Sequence, residues 1–478
     1  MKRILLVDFG STYTKVMAVD LDSETVLGRA QSPTTIDTDI MIGLDKALKN
    51  LEQEWEIPCD SFVEKYACSS AAGGLKMAAI GLVPALTLEA ARRSALGAGA
   101  KVVCSYGFEI DEDVVEEILE KKCDIIMLAG GTDGGNKSVI IHNAGMLAAS
   151  DISCPILVCG NQNARSKVSR ILSEGGKQFY LSENVLPTLD VVNQEPAQCH
   201  IRDIFIEHIV KAKGLSNAQE YTGRNIIPTP MATLRAAELL AGGTKGETGI
   251  GSLLVVEVGG ATTNIHSVIN NEPVTSQTIM RGLPESRVKR TVEGDLGIRW
   301  NAHTICELAG EERLRDILQG LDSITAEEAE QVDFKAYTNH LYTNVEHVPQ
   351  NDLEYELDIT LAKSAVHTAV SRHAGTVHSE ASINGEITIQ RGKNLLHTTT
   401  LLATGGIFKY GKQPGRVLQS ALFDPKEPWS LRPMSPNVLI DKSYIMYGIG
   451  LMAVEHPDIA IRIAKRYLEQ TREQGAWI

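Results

Sequence analysis

The chain has no surplus of positive charge, no long apolar run and no paired-cysteine motif, and each gap removes a class of function. Of its 478 residues, 46 are Lys or Arg and 60 are Asp or Glu, a formal net charge of −14. No basic tract stands out, so nucleic acid and anionic membrane are poor partners for the bulk surface. No stretch is apolar over a spanning length, and Met1-Lys2-Arg3 runs straight into a strand pattern without a signal-peptide signature. The eight cysteines show no CxxC spacing and mostly occupy apolar strand contexts, which reads as reduced thiols in a cytoplasmic protein. The twelve histidines are scattered, with no HExxH and no metal-ligand cluster. Low-complexity segments are absent too. What remains is an ordinary α/β composition, 43% hydrophobic and 22% charged, long enough for two or more domains.

The organising stretch is Ile4 to Asp20, ILLVDFGSTYTKVMAVD. An apolar run ends in Asp8, a turn carries Gly10, Ser11 and Thr12, and a second β-rich run follows, which is the pattern of a buried hairpin. Glycine lets backbone N–H groups crowd one point, and the hydroxyls of Ser11, Thr12 and Thr14 add donors. Asp8 at the strand end is placed to hold hydrated Mg²⁺ beside an anion. The chain then repeats the phrase at Leu253 to Ile269, LLVVEVGGATTNIHSVI, where Glu257 meets Asp8, Gly259 meets Gly10, Gly260 meets Ser11 and Thr263 meets Thr14. Two such hairpins suggest two related lobes closing on one nucleotide. Two ordinary hairpins with acidic strand ends would be the bland alternative.

Between them, strand–helix alternation from about residue 83 to 181 implies a parallel sheet with crossover helices. Its glycine-rich LAGGTDGGN (128–136) follows a predicted strand, where open α/β sheets carry ligands. Gly130, Gly131, Thr132, Asp133 and Asn136 form either a loop for a polar ligand or partner, or a turn needed for packing. Asp133 between glycines is expected to have few packing neighbours. Gly73-Gly74 reads as a strand-to-helix turn more readily than as a ligand loop. Asp37 or Thr38 is expected to cap a helix running to Glu54. Residues 285–294, with Arg287, Lys289 and Arg290, could sit near an anion but read more readily as a solvated helical face, and His208 reads as packed or capping. Gly405-Gly406 closes the buried strand LLATGG.

DFGSTYTK, EVGGATTN, the helix PTPMATLRAAELL and LATGG, in this order, resemble the actin-like ATPase superfamily. CSSAAGGLKMAAIGL, IIMLAGGTDGGN and VGGATT carry a closer resemblance to the GlmL family, the MutL of glutamate mutase operons, unrelated to mismatch-repair MutL. The resemblance implies a two-lobed, ribonuclease H-like α/β fold. The first lobe would span 1–245, with an inserted parallel α/β region at about 83–225. The second would span 246–478, its C-terminal helix packing back toward the first.

The resemblance also implies ATP or ADP with Mg²⁺. Asp8, Gly10, Ser11, Thr12 and Lys15 match the first phosphate motif, Gly259, Gly260, Thr262 and Thr263 the second, and Gly405 with Gly406 the adenosine motif. Mg²⁺ would be held through water near Asp8 and Glu257, with Glu257 orienting the attacking water. One departure stands out. The second motif normally opens with Asp, and the family tends to show Asp where this chain has Asn264. Glu257 moves the carboxylate by about 1.5 Å, so binding is expected to outlast fast hydrolysis. The implied role is a reactivating chaperone for an adenosylcobalamin-dependent mutase or aminomutase, whose subunits would be its partners. A small-molecule kinase and a nucleotide-binding scaffold without turnover are the rivals. Oligomeric state, a homo-oligomer included, is open.

Overall fold

Four apolar residues in a row, Ile4 to Val7, are wholly buried in the first strand, which demands cover on both faces and neighbours on both edges. The computed structural model describes residues 2–10, 12–35, 38–70, 75–205, 215–321, 323–382, 385–411 and 413–470. Within them, β1 (Arg3–Phe9) pairs antiparallel with β2 (Tyr13–Asp20), and β2 with β3 (Thr25–Pro33). On its other edge β1 lies parallel to β4 (Phe62–Ser69).

The chain then leaves this sheet. The strands β5 (Lys76–Gly81), β6 (Lys101–Gly107), β7 (Ile125–Leu128), β8 (Ile156–Val158) and β9 (Phe179–Leu181) form a second, wholly parallel sheet in the order β6-β5-β7-β8-β9. The short β10 (Ile227–Pro228) returns to the edge of β4. The first sheet therefore runs β10-β4-β1-β2-β3. Its helix Ile40–Trp55 buries Leu44, Ala47, Leu48 and Leu51 in the core that the first sheet's inner face supplies. That helix starts one residue later than expected, capped by Asp39, whose side chain accepts from the Met41 amide.

A second compact unit holds β11 (Leu253–Val258), β12 (Thr263–Val268), β13 (Ile279–Arg281), β14 (Val288–Glu293), β15 (Thr376–Ser382), β16 (Gly385–Arg391), β17 (Thr400–Gly405), β18 (Asn437–Ile440) and β19 (Glu469–Gln470). Its main sheet is β14-β12-β11-β17-β18-β19. Each unit's main sheet thus reads 3-2-1-4-5 from its own first strand, the second unit adding β19 antiparallel on the outer edge of β18. Strands 1 to 3 are antiparallel, while 4 and 5 run parallel to strand 1. This is the ribonuclease H-like order, present twice, with the parallel sheet spliced between strands 4 and 5 of the first copy.

The contact-defined first unit comprises 1–239, 282–284 and 447–463, and the second the remainder. The chain passes between them within the helix Thr229–Gly242, which ends where Gly243 takes a positive φ of 73°. Among the described residues no helix is long and apolar enough to cross a membrane.

Two readings need correction. Lys76–Gly81 is a strand, not the start of a helix, and Met77 to Ile80 are fully buried at the centre of the parallel sheet. Residues 288–293 form β14 rather than a solvated helical face, and Arg290 is only 4% exposed. Val288, Thr291 and Val292 favour the strand, and pairing with β12 overrides the charges beside them. Ser11, Asp37, Gly73, Gly74 and His208 lie outside the described residues.

Candidate functional site

The two hairpins have the same internal geometry. Asp8 pairs with Lys15 and Glu257 with Asn264; Phe9 pairs with Thr14 and Val258 with Thr263. Each four-residue turn closes by the same bond, Gly10 N–H to the Tyr13 carbonyl at 3.1 Å and Gly259 N–H to the Thr262 carbonyl at 2.9 Å. A Cβ on Gly10 would meet the Tyr13 carbonyl at 2.6 Å, so this tight turn requires glycine. The amides of both glycines are occupied by the turn itself. Among the described residues, those of Thr12, Gly260, Ala261 and Thr262 donate to no protein acceptor, and these are the backbone donors each turn leaves for an anion.

Both turns are braced from behind. Thr34 donates its amide to the Thr12 carbonyl and its hydroxyl to the Gly10 carbonyl. In the second unit the amides of Arg299 and Trp300 bond the Gly260 carbonyl, and Asn301 Nδ2 bonds the Ala261 carbonyl. Arg299 is fixed by two bonds to Asp358, at 3.1 and 2.6 Å. The hydroxyls of Thr14 and Thr263 are taken up inside the protein, by Thr34 and by the Leu296 carbonyl. Thr263 therefore shapes its turn instead of facing outward.

Asp8 is 2% exposed. Its Oδ2 accepts from Lys15 Nζ at 3.0 Å, and its Oδ1 from the Thr229 hydroxyl at 2.7 Å and the Cys68 thiol at 3.6 Å. Thr229 is 221 residues away at the start of its helix, and no local pattern connects it with Asp8. Burial pushes the Cys68 thiol well up, and the Asp8 charge adds to this, so Cys68 stays a neutral donor.

Glu257 belongs to a polar row across three strands. Asn264 Nδ2 approaches its Oε2 at 3.2 Å and His266 Nε2 at 3.5 Å, while Arg290 stands opposite His266 on β14. Burial alone would raise the Glu257 pKa. The bonds from His266 and Asn264, with the Arg290 charge, outweigh it and hold the carboxyl below its usual range. Burial pushes His266 down and the Arg290 charge adds to that, so the imidazole is neutral near pH 7 despite Glu257. Two buried acceptors of this row, Asn264 Oδ1 and His266 Nδ1, have no partner among the described residues, a pattern suited to water donors. His266 gave no signal in the sequence, and Arg290 gave only its place in a charged stretch that could sit near an anion; strand pairing brings the two together.

At the end of β17, Gly405 has φ +120° and a Cβ there would strike the Val258 carbonyl at 2.2 Å. Packing against β11 therefore requires this glycine. A Cβ on Gly406 would meet nothing within 4 Å.

The loop 130–136 lies at the C-terminal edge of the parallel sheet and is sewn to its neighbours. Asp133 is exposed, yet its Oδ1 accepts from the Gln162 amide and from Asn184 Nδ2, both at 2.9 Å. Asn163 Oδ1 accepts from Gly134 N–H, Asn161 Nδ2 donates to the carbonyls of Gly135 and Asn136, and Asn184 Nδ2 donates to that of Gly131. Thr132 lies between these anchored residues and is half-buried.

The doubled sheet order, with an acid-and-glycine hairpin opening each copy, defines the class: an α/β protein built on two actin-like halves. The chain belongs to the MutL protein family, whose model matches residues 4–468. It is 46% identical over 468 residues to Protein MutL of Clostridium tetanomorphum, covering 98% of this chain and 99% of that protein. Among solved structures it is loosely similar to the activator of the 2-hydroxyisocaproyl-CoA dehydratase from Clostridium difficile with bound ADPNP. That match has a TM-score of 0.32 and 8% identity, and covers 97% of each chain. It is also loosely similar to a diol dehydratase-reactivating factor in nucleotide-free form, with a TM-score of 0.36, 11% identity, and 95% of this chain and all of that one covered.

Proposed function

We propose that this chain is a nucleotide-binding reactivating factor for an adenosylcobalamin-dependent mutase or aminomutase of the glutamate mutase type, working through ATP binding or slow hydrolysis. The nucleotide part rests on one observation: the two hairpins share register and closing bond, and among the described residues both leave turn amides without a protein acceptor. Membership of the MutL family supports the mutase as partner. The amides at Thr12 and at residues 260–262 would hold phosphate oxygens. Lys15, ion-paired with Asp8, would turn its charge toward a phosphate.

The fit to Mg²⁺ is of one kind. The oxygens of Asp8, and Oε2 of Glu257, already accept bonds from protein donors, so each carboxylate, in its own unit, suits contact with an ion through that ion's water ligands. Bound there, Mg²⁺ would neutralise developing phosphate charge. Glu257, ionised and steadied by Asn264 and His266, would orient a water. Because these neighbours hold its carboxylate, turnover is expected to be slow. The same holding favours a scaffold without turnover as the second reading.

Calorimetry with Mg-ATP and Mg-ADP tests the assignment. Saturable binding that Asp8→Ala weakens is the expected result, and no nucleotide binding in Mg²⁺ would remove it.

A further inference from the structure

One concavity in the first unit, unused by the nucleotide reading, carries a cation with no bonded partner among the described residues. Arg224, Asn225, Ile227, Arg235, Leu451 and Val454 help to line a cavity of about 400 Å³, within the range of small-molecule sites. Its two arginines are treated differently. Arg224 lies over the Tyr66 ring at 4.2 Å, is bonded to Glu455, and has Glu64 at 3.6 Å. Those carboxylates are further secured, Glu455 by the Tyr66 hydroxyl at 3.0 Å and Glu64 by His456 Nε2 at 2.9 Å. That wall is a finished network.

Arg235 is not so provided for. It projects from the helix Thr229–Gly242, is half-buried, and has no hydrogen-bonding or ion-pair partner among the described residues. Burial and the nearby Arg202 charge both press against its ionised form, with only Glu238 opposing them. Asn225 adds a second open donor: its Oδ1 accepts from Gln219 Nε2, and its own Nδ2 has no protein acceptor among the described residues. Ile227, Leu451 and Val454 supply an aliphatic wall beside these groups. In a chain of net charge −14, a guanidinium held against desolvation and repulsion, with Glu238 near it but no carboxylate bonded to it among the described residues, is unfavourable unless an anion completes it.

We propose that this cavity binds a small organic carboxylate, its oxygens on Arg235 and Asn225 and its aliphatic body on Ile227, Leu451 and Val454. A guanidinium offers two parallel N–H bonds to a carboxylate, and the aliphatic wall separates a carboxylate with a hydrocarbon body from inorganic phosphate. The site is independent of the nucleotide reading and stands or falls without it.

The test uses the full chain with isovalerate, isovaleramide and inorganic phosphate as probes, followed by calorimetry and thermal shift. Isovalerate should bind saturably, more tightly than phosphate, and the neutral amide should not bind. Arg235→Gln should weaken isovalerate at least tenfold while leaving the melting temperature equal or higher, because it removes a desolvated charge. Val454→Asp, at a position 66% exposed and so tolerant of substitution, should weaken it similarly by repulsion. No saturable isovalerate binding, equal binding by Arg235→Gln, or tighter binding of phosphate would overturn the proposal. So would a clear fall in the melting temperature of Arg235→Gln, which would make Arg235 a structural residue.

Discussion

Replacing Asp8 with Asn separates the metal role of this carboxylate from its structural one. The side chain keeps its shape, and an amide oxygen can still accept from Thr229, which sits 2.7 Å from Oδ1. What disappears is the charge facing Lys15 Nζ at 3.0 Å, leaving an amide NH₂ or a neutral oxygen against an ammonium. A hydrogen bond to a charged group contributes about 1.5–3 kcal/mol. Lys15 is 22% exposed and can turn partly to water, so the loss should be nearer 1–2 kcal/mol. For a unit of this size that is a fall of roughly 2–8 °C in melting temperature. Nucleotide binding should respond differently with and without metal. With Mg²⁺, loss of one charge-assisted contact to the ion's water shell weakens ATP by roughly 10–100-fold, at about 1.4 kcal/mol per tenfold. In EDTA the variant should lie within about threefold of wild type on the same reasoning. Calorimetry under both conditions, with melting curves as control, makes the comparison. Equal affinity for Mg-ATP in Asp8→Asn, or an equal loss with and without Mg²⁺, would refute the assignment of Asp8 to the metal.

Three further substitutions probe the rest of the account. Glu257→Asp should raise phosphate release from ATP with binding intact; lower turnover would mean that the site is built around the longer side chain held by Asn264 and His266. Burial lowers the folded pKa of His266, so the unfolded chain takes the proton first and stability should fall as pH drops below about 6.5. His266→Gln should flatten that acid loss in melting curves between roughly pH 6.5 and 5, and an unchanged curve would contradict a neutral buried imidazole. Glu257 acts in the same sense at lower pH: its folded pKa is depressed, so its contribution is present above about pH 4.3 and lost as pH falls through the folded value. Asp133→Ala, which removes the acceptor shared by Gln162 and Asn184, should cost about 1–2 kcal/mol of stability. Its ATP affinity should be unchanged and its mutase pull-down weaker; full retention of both melting temperature and partner binding would leave the loop without either role.

The parts legible in sequence were those written locally. The apolar run, acid, glycine and hydroxyls of each hairpin sit within a dozen residues, and the second copy repeats them at constant offset. The alternating strands and helices of the parallel sheet were legible for the same reason, except β5. Lys76–Gly81 is short, rich in alanine and buried between β6 and β7, so it lacks the alternation that marks a half-exposed strand. Arg290 was misread because charge in sequence suggests solvent, whereas pairing with β12 places it inside, beside Glu257 and His266. Thr229 and Arg235 lie in the stretch PTPMATLRAAELL, but nothing in it marked either one individually. The first matters through a partner 221 residues away, and the second through the bonds it lacks among the described residues. Asp133 shows the reverse case: its glycine neighbours correctly implied exposure but concealed the two bonds its carboxylate accepts.

The central claim is nucleotide-driven reactivation, and a recovery assay tests it most directly. A glutamate-mutase-type enzyme, inactivated during turnover, is mixed with this chain and fresh adenosylcobalamin, with Mg-ATP, with a non-hydrolysable ATP analogue and without nucleotide. The account predicts that activity returns only with the chain and nucleotide together, and that Asp8→Asn largely abolishes the return. No recovery under any condition, or the same recovery without nucleotide, would contradict it.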